Sequence, residues 1–516
     1  MTILLEEIPI KARAAVEELL NKSQRLEMEN CLMRERIRLL LLKKYGCKNE
    51  SLSEGQLQLL EVEPGISQPE VEKEAALPEQ EKRVPRKKAS KHPGREKLPE
   101  HLERRVEIIA VEAAERMCPC CGKERQLISY EEKEVLDMEM VKYFVRLIKR
   151  EKLACKCCEE GGVATAAAGG PKIIEKGKLS DSVVVDVLIN KYCAHLPLYR
   201  QEEILARDFN LEVSRNTLCD AIMRAGNLLQ PVRDAMRREL LAGDYIQADE
   251  TPIGVQVHNG RGHNHQAYAF EYSRPGGNVV FDFRMTRARE GPLKFLEKFN
   301  GVLQYDGYAG YEKTGGKTLI RVGCWAHARR KFHEASRLDP KNADAMTMLD
   351  LIGELYAVEK EAREAAMKSE ARLSLRCEKS LPLLKNIRSK VSEIRGRVLP
   401  AGAMGKACNY LLNQWHKLTP FCEHGIVEID NNWCENAIRP IALGRKNWLH
   451  IGSEKAGPRI AAILSVIETC KRLDISPREY LLDVLPKLPE WKITRVGELT
   501  PEKWLTSHTG KRQVCV

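Results

Sequence analysis

The sequence predicts a multidomain α+β protein, and three observations carry that prediction. Residues 12–44 hold a seven-residue apolar repeat. Two C-x-x-C pairs, Cys118/Cys121 and Cys155/Cys158, stand 33 residues apart. Residues 244–306 alternate in hydropathy in the order β-β-β-α-β, the pattern of a mixed sheet with helices available to cover it. A chain of 516 residues has room for several domains. Apolar residues make up 43% and charged residues 30%, which fits globular units with a polar surface. Aromatics at only 6% favour helix-rich packing on Leu, Ile, Val and Ala over an all-β sandwich.

Charge and segment length narrow the function classes. Lys plus Arg number 84 against 73 Asp plus Glu, a net charge of +11 whose sign favours a polyanionic partner. No run reaches the ~18 apolar residues of a membrane span, so no membrane role is expected. The opening MTILLEEIPIKAR lacks the basic flank and apolar core of a secretory signal. The expected location is therefore cytoplasmic, and seventeen cysteines there argue for metal knuckles over a disulfide scaffold.

The elements follow in order. Residues 12–45 read as a leucine-zipper-like coiled coil. Val16, Ser23, Asn30 and Ile37 fall at heptad position a, and Leu19, Leu26, Met33 and Leu40 at d. A lone Asn at a fixes register and strand number. An amphipathic helix packed on its own domain is the alternative. Residues 64–99 form a charged linker, acidic in EVEKEAALPEQE and basic in KRVPRKKASKHPGREK, too poor in apolar residues to make a core. Its basic half either lies along DNA phosphates or stays a solvated tether. Residues 100–165 form a cysteine module. Each C-x-x-C turn offers two sulfurs, and four thiolates make a tetrahedral zinc site. Cys118, Cys121, Cys155 and Cys158 are the expected ligands of one structural Zn2+, with Cys120 and Cys157 as competitors. Buried, inert cysteines are the other reading.

Residues 172–235 read as helical. Within LYRQEEILARDFNLEVSRNTLCDAIMRAGNLL, an apolar-faced helix ends near Phe209 and Ser214 caps a second one carrying Arg215 and Asn216. Polar residues opening a second helix are where a helix-turn-helix reads the major groove, although a plain helical hairpin gives the same pattern.

Residues 240–465 form the core. DYIQADETPIGVQV, HQAYAFEYSR and NVVFDFRM are three strands, the last two joined by the turn Pro275-Gly276-Gly277. A helix is expected over 289–300 and a strand in GVLQYDGYAGY ending at Asp306. Residues 340–400 are helical, with Met348, Leu351, Ile352, Leu355 and Tyr356 on one face. IDNNWCENAIRP places Glu435 on a helix beginning near Asn431 or Asn432. A lone Asp at a strand end is usually a cap or a surface charge. Asp249 and Asp306 on neighbouring strands with Glu435 from a later helix are different. Clustered carboxylates are what hard divalent cations need, and two such ions ~4 Å apart clamp both oxygens of a phosphoryl transfer. Residues 466–516 close the chain with short helices near Pro477 and Pro486.

These residues also carry a resemblance. The contexts of Asp249, Asp306 and Glu435 look like those of the DDE transposases of bacterial insertion sequences, and the chain resembles the insertion-sequence-sixty-six family, the TnpC-type proteins. The matching segments are HLPLYRQE, DETPIGV, LQYDGYAGY, CWAHARRKF, IDNNWCENAIRPIALGRKNWL and PREYLLDVLPKL. The resemblance implies a ribonuclease-H-like catalytic core with a helical insertion at about 335–425. It implies metal-dependent DNA cleavage and strand transfer, with Asp249, Asp306 and Glu435 holding two Mg2+ (or Mn2+) per active site. The implied partners are DNA, as terminal inverted repeats and target, a homodimer or higher oligomer, and accessory proteins, with a nucleoid-associated location. Two rival readings remain: a DNA-binding regulator without catalysis, and a metal-dependent nuclease without strand transfer.

Cys324-Trp-Ala-His327 opens a helix carrying Arg329, Arg330 and Lys331. Related DDE families have a Cys-x-x-His feature here. Two residues are too few for a metal, so His327 is expected to be hydrogen-bonded structure, with direct DNA contact as the alternative. Arg329 and Arg330 are expected phosphate clamps, because the guanidinium fork matches phosphate oxygens. In RPIALGRKNW, Arg439, Arg445 and Lys446 stand near Trp448. Charge and a stacking face there suggest DNA contact, and a solvated turn with a core tryptophan is the other possibility.

Overall fold

The computed structural model describes residues 171–512 apart from 176 and 258–263. It also describes 22–23, 25–30, 33–34, 37, 143–146, and strand residues 152–154 and 163–165. The chain divides into two compact units, Ala76–Ala168 and the remainder. In the smaller one, β1 (Lys152–Ala154) pairs antiparallel with β2 (Val163–Thr165), Ala154 facing Val163. This ladder brackets the second C-x-x-C in sequence. The cysteines themselves, 118, 120, 121, 155, 157 and 158, lie outside the described residues, as do the linker 64–99 and most of 12–45. The described residues between 22 and 37 are helical. Leu26, Met33 and Ile37 of the expected seam are exposed there, and Arg25 Nε lies 3.2 Å from Glu29 Oε1.

In the larger unit, α1 (Asp181–Tyr192) is capped by Ser180, whose hydroxyl accepts from Val183 N. Helix α2 (Leu198–Phe209) stops where Asn210 turns left-handed at φ 52°. Ser214 then caps α3 (Arg215–Leu241) by accepting from Thr217 N. The two expected helices fall where the sequence puts them, but the second continues past the boundary expected at 235. It lies against α11 (Gly457–Arg472), where Gly226 leaves no room for a side chain: a Cβ would stand 2.8 Å from Arg459 Cβ. Residues 172–235 are thus part of the same compact unit as the core, and α11 likewise runs through the boundary expected at 465.

The central sheet has the order β5-β4-β3-β6-β7. Strand β3 (Tyr245–Val255) pairs antiparallel with β4 (His265–Ser273), which pairs antiparallel with β5 (Val279–Arg284). On its other side β3 runs parallel to β6 (Val302–Gln304), and β6 to β7 (Ile320–Val322), a short strand that the sequence reading missed. The β4–β5 turn is the expected one, with Gly276 at φ 68°. Helix α4 (Glu290–Leu296) is shorter than the 289–300 expected, because Glu297 adopts φ 47° and ends it. Edge strand β5 is not left open. Thr469 and Ser465 on α11 accept from Val279 N at 2.9 Å and Phe281 N at 2.8 Å.

After β7 come α5 (Trp325–Leu338), α6 (Ala343–Glu364), α7 (Ser369–Leu375), a π turn over Arg376–Ser380, α8 (Leu381–Arg397) and α9 (Ala403–Leu418). Met348, Ile352, Leu355 and Tyr356 of the expected face are buried with Trp325, Phe332, Val391 and Leu411. The fully buried guanidinium of Arg376 meets both oxygens of Glu359 and the carbonyls of Phe421, His424 and Val427. It pins the return segment from the helical insertion to α10 (Asn432–Trp448). The chain ends with α12 (Pro477–Val484) and α13 (Pro501–Arg512). Around Pro486 there are turns in place of the expected helix. Among the described residues, no helix is long and apolar enough to cross a membrane.

Candidate active site

Register brings the two aspartates together. Gln247 of β3 lies beside Gln304 of β6, and Asp249 and Asp306 each follow two residues later. Neighbouring strands run ~4.8 Å apart, so equal offsets from a shared register place both carboxylates at the same end of the sheet. Asp249 Oδ1 accepts from Glu250 N at 2.8 Å, and Asp306 Oδ1 from Tyr308 N at 2.8 Å. Between the latter two, Gly307 takes φ 100° as the chain leaves the strand.

Glu435 arrives on the first turn of α10. The segment before it is locked by buried amides. Gln247 Nε2 donates to the Asp430 carbonyl at 2.9 Å, while its Oε1 accepts from Cys434 N at 3.2 Å. Gln304 Nε2 donates to the carbonyls of Gly323 and Glu428, and Asn431 Nδ2 to that of Ala248 at 3.0 Å. Sheet, α5 start and α10 start are therefore tied by side chains with no freedom to turn. Burial pushes the Asp249 carboxyl well above its usual range, and the neighbouring Glu435, Asp306 and Glu250 charges add to the shift. The three predicted acids thus act on one another in a single half-buried pocket.

His327 corrects the sequence reading. Its Nδ1 is buried and has no hydrogen-bond partner, so it is not the satisfied structural histidine expected. It faces Glu435 Oε1 at 3.6 Å, and Glu435 Oε1 is also buried without a hydrogen bond. Burial lowers the His327 pKa, with Glu435 opposing the shift. Cys324 Sγ lies close by and accepts from Asn431 N at 3.3 Å. No sequence signal joined Glu435 to this pair, because 107 residues separate Asn431 from Cys324.

Two walls flank the acids, and both went unread in the sequence. On one side Arg287 donates to Glu250 Oε1 at 2.9 Å and lies 4.2 Å over the Tyr308 ring, and Tyr311 donates to Glu250 Oε2 at 3.2 Å. On the other, α9 sends the Tyr410 hydroxyl to the Asp306 carbonyl at 3.0 Å and sets Gln414 beside Gly307.

The residues expected to touch DNA separate into groups. Arg215 and Asn216 are exposed at the start of α3. Arg330 stands at the pocket rim, half-exposed, with Nη2 3.6 Å from Glu435 Oε2. Arg329 is 1% exposed, so it is no phosphate clamp: a helix face cannot present adjacent residues to the same surface, and this one points into the core. Arg439 is half-buried one turn after Glu435, and burial lowers its pKa. Arg445 donates to the Pro252 carbonyl, holding α10 against β3, and Lys446 is exposed. RPIALGRKNW is helical throughout, which excludes the solvated turn.

The comparisons with known proteins agree with this architecture. The Transposase IS66 family matches residues 176–459, which hold all three acids. The IS66 C-terminal element matches 465–501. The zinc-finger binding domain of transposase IS66 matches 115–159, spanning both C-x-x-C pairs, and the element described as the Transposase C of IS166 homeodomain matches 32–106. The chain belongs to the IS66 transposase family, with leucine-zipper-like and zinc-finger domains ahead of the core. Among its relatives is the uncharacterized protein y4qI of Sinorhizobium fredii, 32% identical over 420 residues, 78% of this chain and 76% of the relative. The uncharacterized protein y4jD of the same organism is 27% identical over 430 residues, 80% of this chain and 82% of the relative.

Proposed function

We propose that this transposase cleaves DNA at the ends of a mobile element and joins the freed 3′ ends to target DNA, at a site formed by Asp249, Asp306 and Glu435. The observation that carries the reading is the shared register of β3 and β6, which sets Asp249 and, two residues past the end of β6, Asp306 at one end of the sheet, with Glu435 delivered beside them by a locked helix start. The strand order, antiparallel on one side of β3 and parallel on the other, supports a ribonuclease-H-like core.

The pocket fits hard divalent ions. Its donors are carboxylate oxygens, one of them buried without a hydrogen bond, and Asp249 is raised first by burial and then by repulsion from the other acids, both of which a bound cation would offset. Two Mg2+ or Mn2+, held by Asp249, Asp306 and Glu435, would supply Lewis-acid activation of the attacking and leaving oxygens. The protein's own residues do the positioning. Arg330, beside Glu435, and Arg287, beside Glu250, present guanidinium groups to the phosphates either side of the scissile one. Tyr308 offers a ring beside Arg287 for an unpaired base, and Arg215, Asn216 and Lys446 serve the duplex further out. The zinc-finger cysteines 118, 121, 155 and 158 hold one structural Zn2+. The seam at 12–45 makes a homodimer, the minimal assembly for two element ends. Accessory proteins complete the assembly, and the protein works at the nucleoid in the bacterial cytoplasm.

Glu435→Gln tests this reading. The variant should fold and bind DNA but not cleave it. Cleavage within about tenfold of the parent removes the two-metal assignment. A strand-transfer assay separates transposition from nuclease action alone and from binding without catalysis.

A further inference from the structure

We propose that Cys324, His327 and Glu435 form a second metal site in the core, one that takes a borderline-soft divalent ion of the Zn2+ or Co2+ class. Sγ, an imidazole nitrogen and a carboxylate oxygen of these residues all lie within 4.8 Å of one another. His327 Nδ1 and Glu435 Oε1 are 3.6 Å apart. Ligand atoms ~2.0–2.3 Å from a tetrahedral ion stand ~3.3–3.7 Å from each other. The pair is therefore at coordination spacing and too far apart for a good hydrogen bond.

Both atoms are buried and have no hydrogen-bond partner. Buried polar atoms are nearly always satisfied, so two of them aimed at one point indicate something between them. The sulfur is placed by the same helix start. Cys324 is the N-cap of α5 and His327 lies in its first turn, which brings both side chains to one side of the helix start. Sγ accepts a backbone N–H from Asn431 at 3.3 Å and another from His327; burial, with the Asp430 and Glu435 charges, nevertheless holds the thiol well above its usual range, so the metal itself must displace the proton. Binding releases the thiol proton to solvent. Three protein ligands leave the fourth tetrahedral position to water.

The donor set separates this site from the carboxylate pocket. Mg2+ binds oxygen, whereas thiolate and imidazole select Zn2+ or Co2+. Glu435 belongs to both, so an ion held by Cys324 and His327 withdraws it from the pocket. That consequence rests on the function proposed above, but the site itself does not.

Co2+ added to the full-length protein with its zinc finger loaded is the test. The parent should take up one further Co2+ per chain, with thiolate-to-cobalt charge-transfer absorption and the ligand-field bands of tetrahedral cobalt. Cys324→Ser should lose the charge-transfer band, and His327→Gln the ion itself, each with unchanged circular dichroism and zinc content. No thiolate band in the parent overturns the site, as does a band that persists in Cys324→Ser. The readout needs no DNA, so failure of the cleavage reading leaves it intact and its own failure leaves cleavage untouched.

Discussion

Glu271 stands directly across the β3–β4 ladder from Asp249, yet one borders the acidic pocket and the other is fully buried. Like charges directly opposite are destabilising, and burial holds Glu271 in its neutral form up to about pH 7. Burial raises its pKa to about 7, against smaller opposing effects of Arg472, the Cys434 thiol and Ser273. Cys434, which donates to Glu271, adjoins Glu435 in the chain, so the neutral acid also braces the helix start that presents the third carboxylate.

A pH-dependent stability follows. The unfolded chain gives up the Glu271 proton at the ordinary carboxylate value, whereas the folded chain keeps it until about pH 7. Between those values the folded state binds the extra proton, so stability falls as pH rises through the window and stays lost above it. Glu271→Gln is neutral throughout. Its unfolding free energy in urea should rise relative to the parent between about pH 5 and pH 8, by as much as ~3 kcal/mol. A difference that does not widen over this range shows that Glu271 is not the titrating group.

Arg376 links the helical insertion to the site. Arg376 and Glu359 are fully buried, so Arg376→Met leaves three carbonyls and part of the Glu359 charge uncompensated. The expected loss is ~3–5 kcal/mol in denaturant unfolding, the scale for breaking a buried ion pair from one side. A loss under about 1 kcal/mol would place the guanidinium at the surface.

The acids were legible because their chemistry is local and their spacing records geometry. The 57 residues from Asp249 to Asp306 are the same as the offset between the register partners Gln247 and Gln304. The strands, the capped helix at Ser214 and the buried face around Ile352 were legible for the same reason: alternation, caps and 3.6-residue periodicity are written in short windows. What escaped needed long-range contacts. Strand β7 is three residues long, too short for alternation to register. Arg329 and Arg330 look alike in sequence, and only the packing of α5 decides which one is buried. His327 looked like a lone structural residue because its partner comes from α10.

The covered edge of the sheet is open to a direct test. Ser465→Ala removes the acceptor for Phe281 N on β5, and Thr469→Val the acceptor for Val279 N. Each leaves a buried N–H unpaired, at a cost of ~1–3 kcal/mol. Hydrogen exchange should speed up at that one amide in each variant. Protection unchanged in both would mean that the hydroxyls do not seal the edge.

The N-terminal helix gives the last prediction. Leu26 is 51% exposed, Met33 58% and Ile37 56%, although the heptad places all three on one seam. A stripe of large apolar side chains facing water gains by covering itself. Asn30 within the seam favours one register, most simply that of a parallel dimer. Replacing Leu26 and Met33 with Glu puts like charges face to face across the seam. Sedimentation should then show a monomer in place of the dimer proposed for the parent, and complexes holding two element ends should disappear. Binding to a single end should persist, because the zinc finger and the exposed start of α3 lie elsewhere in the chain. A double variant that stays dimeric and still pairs two ends would assign assembly to the core.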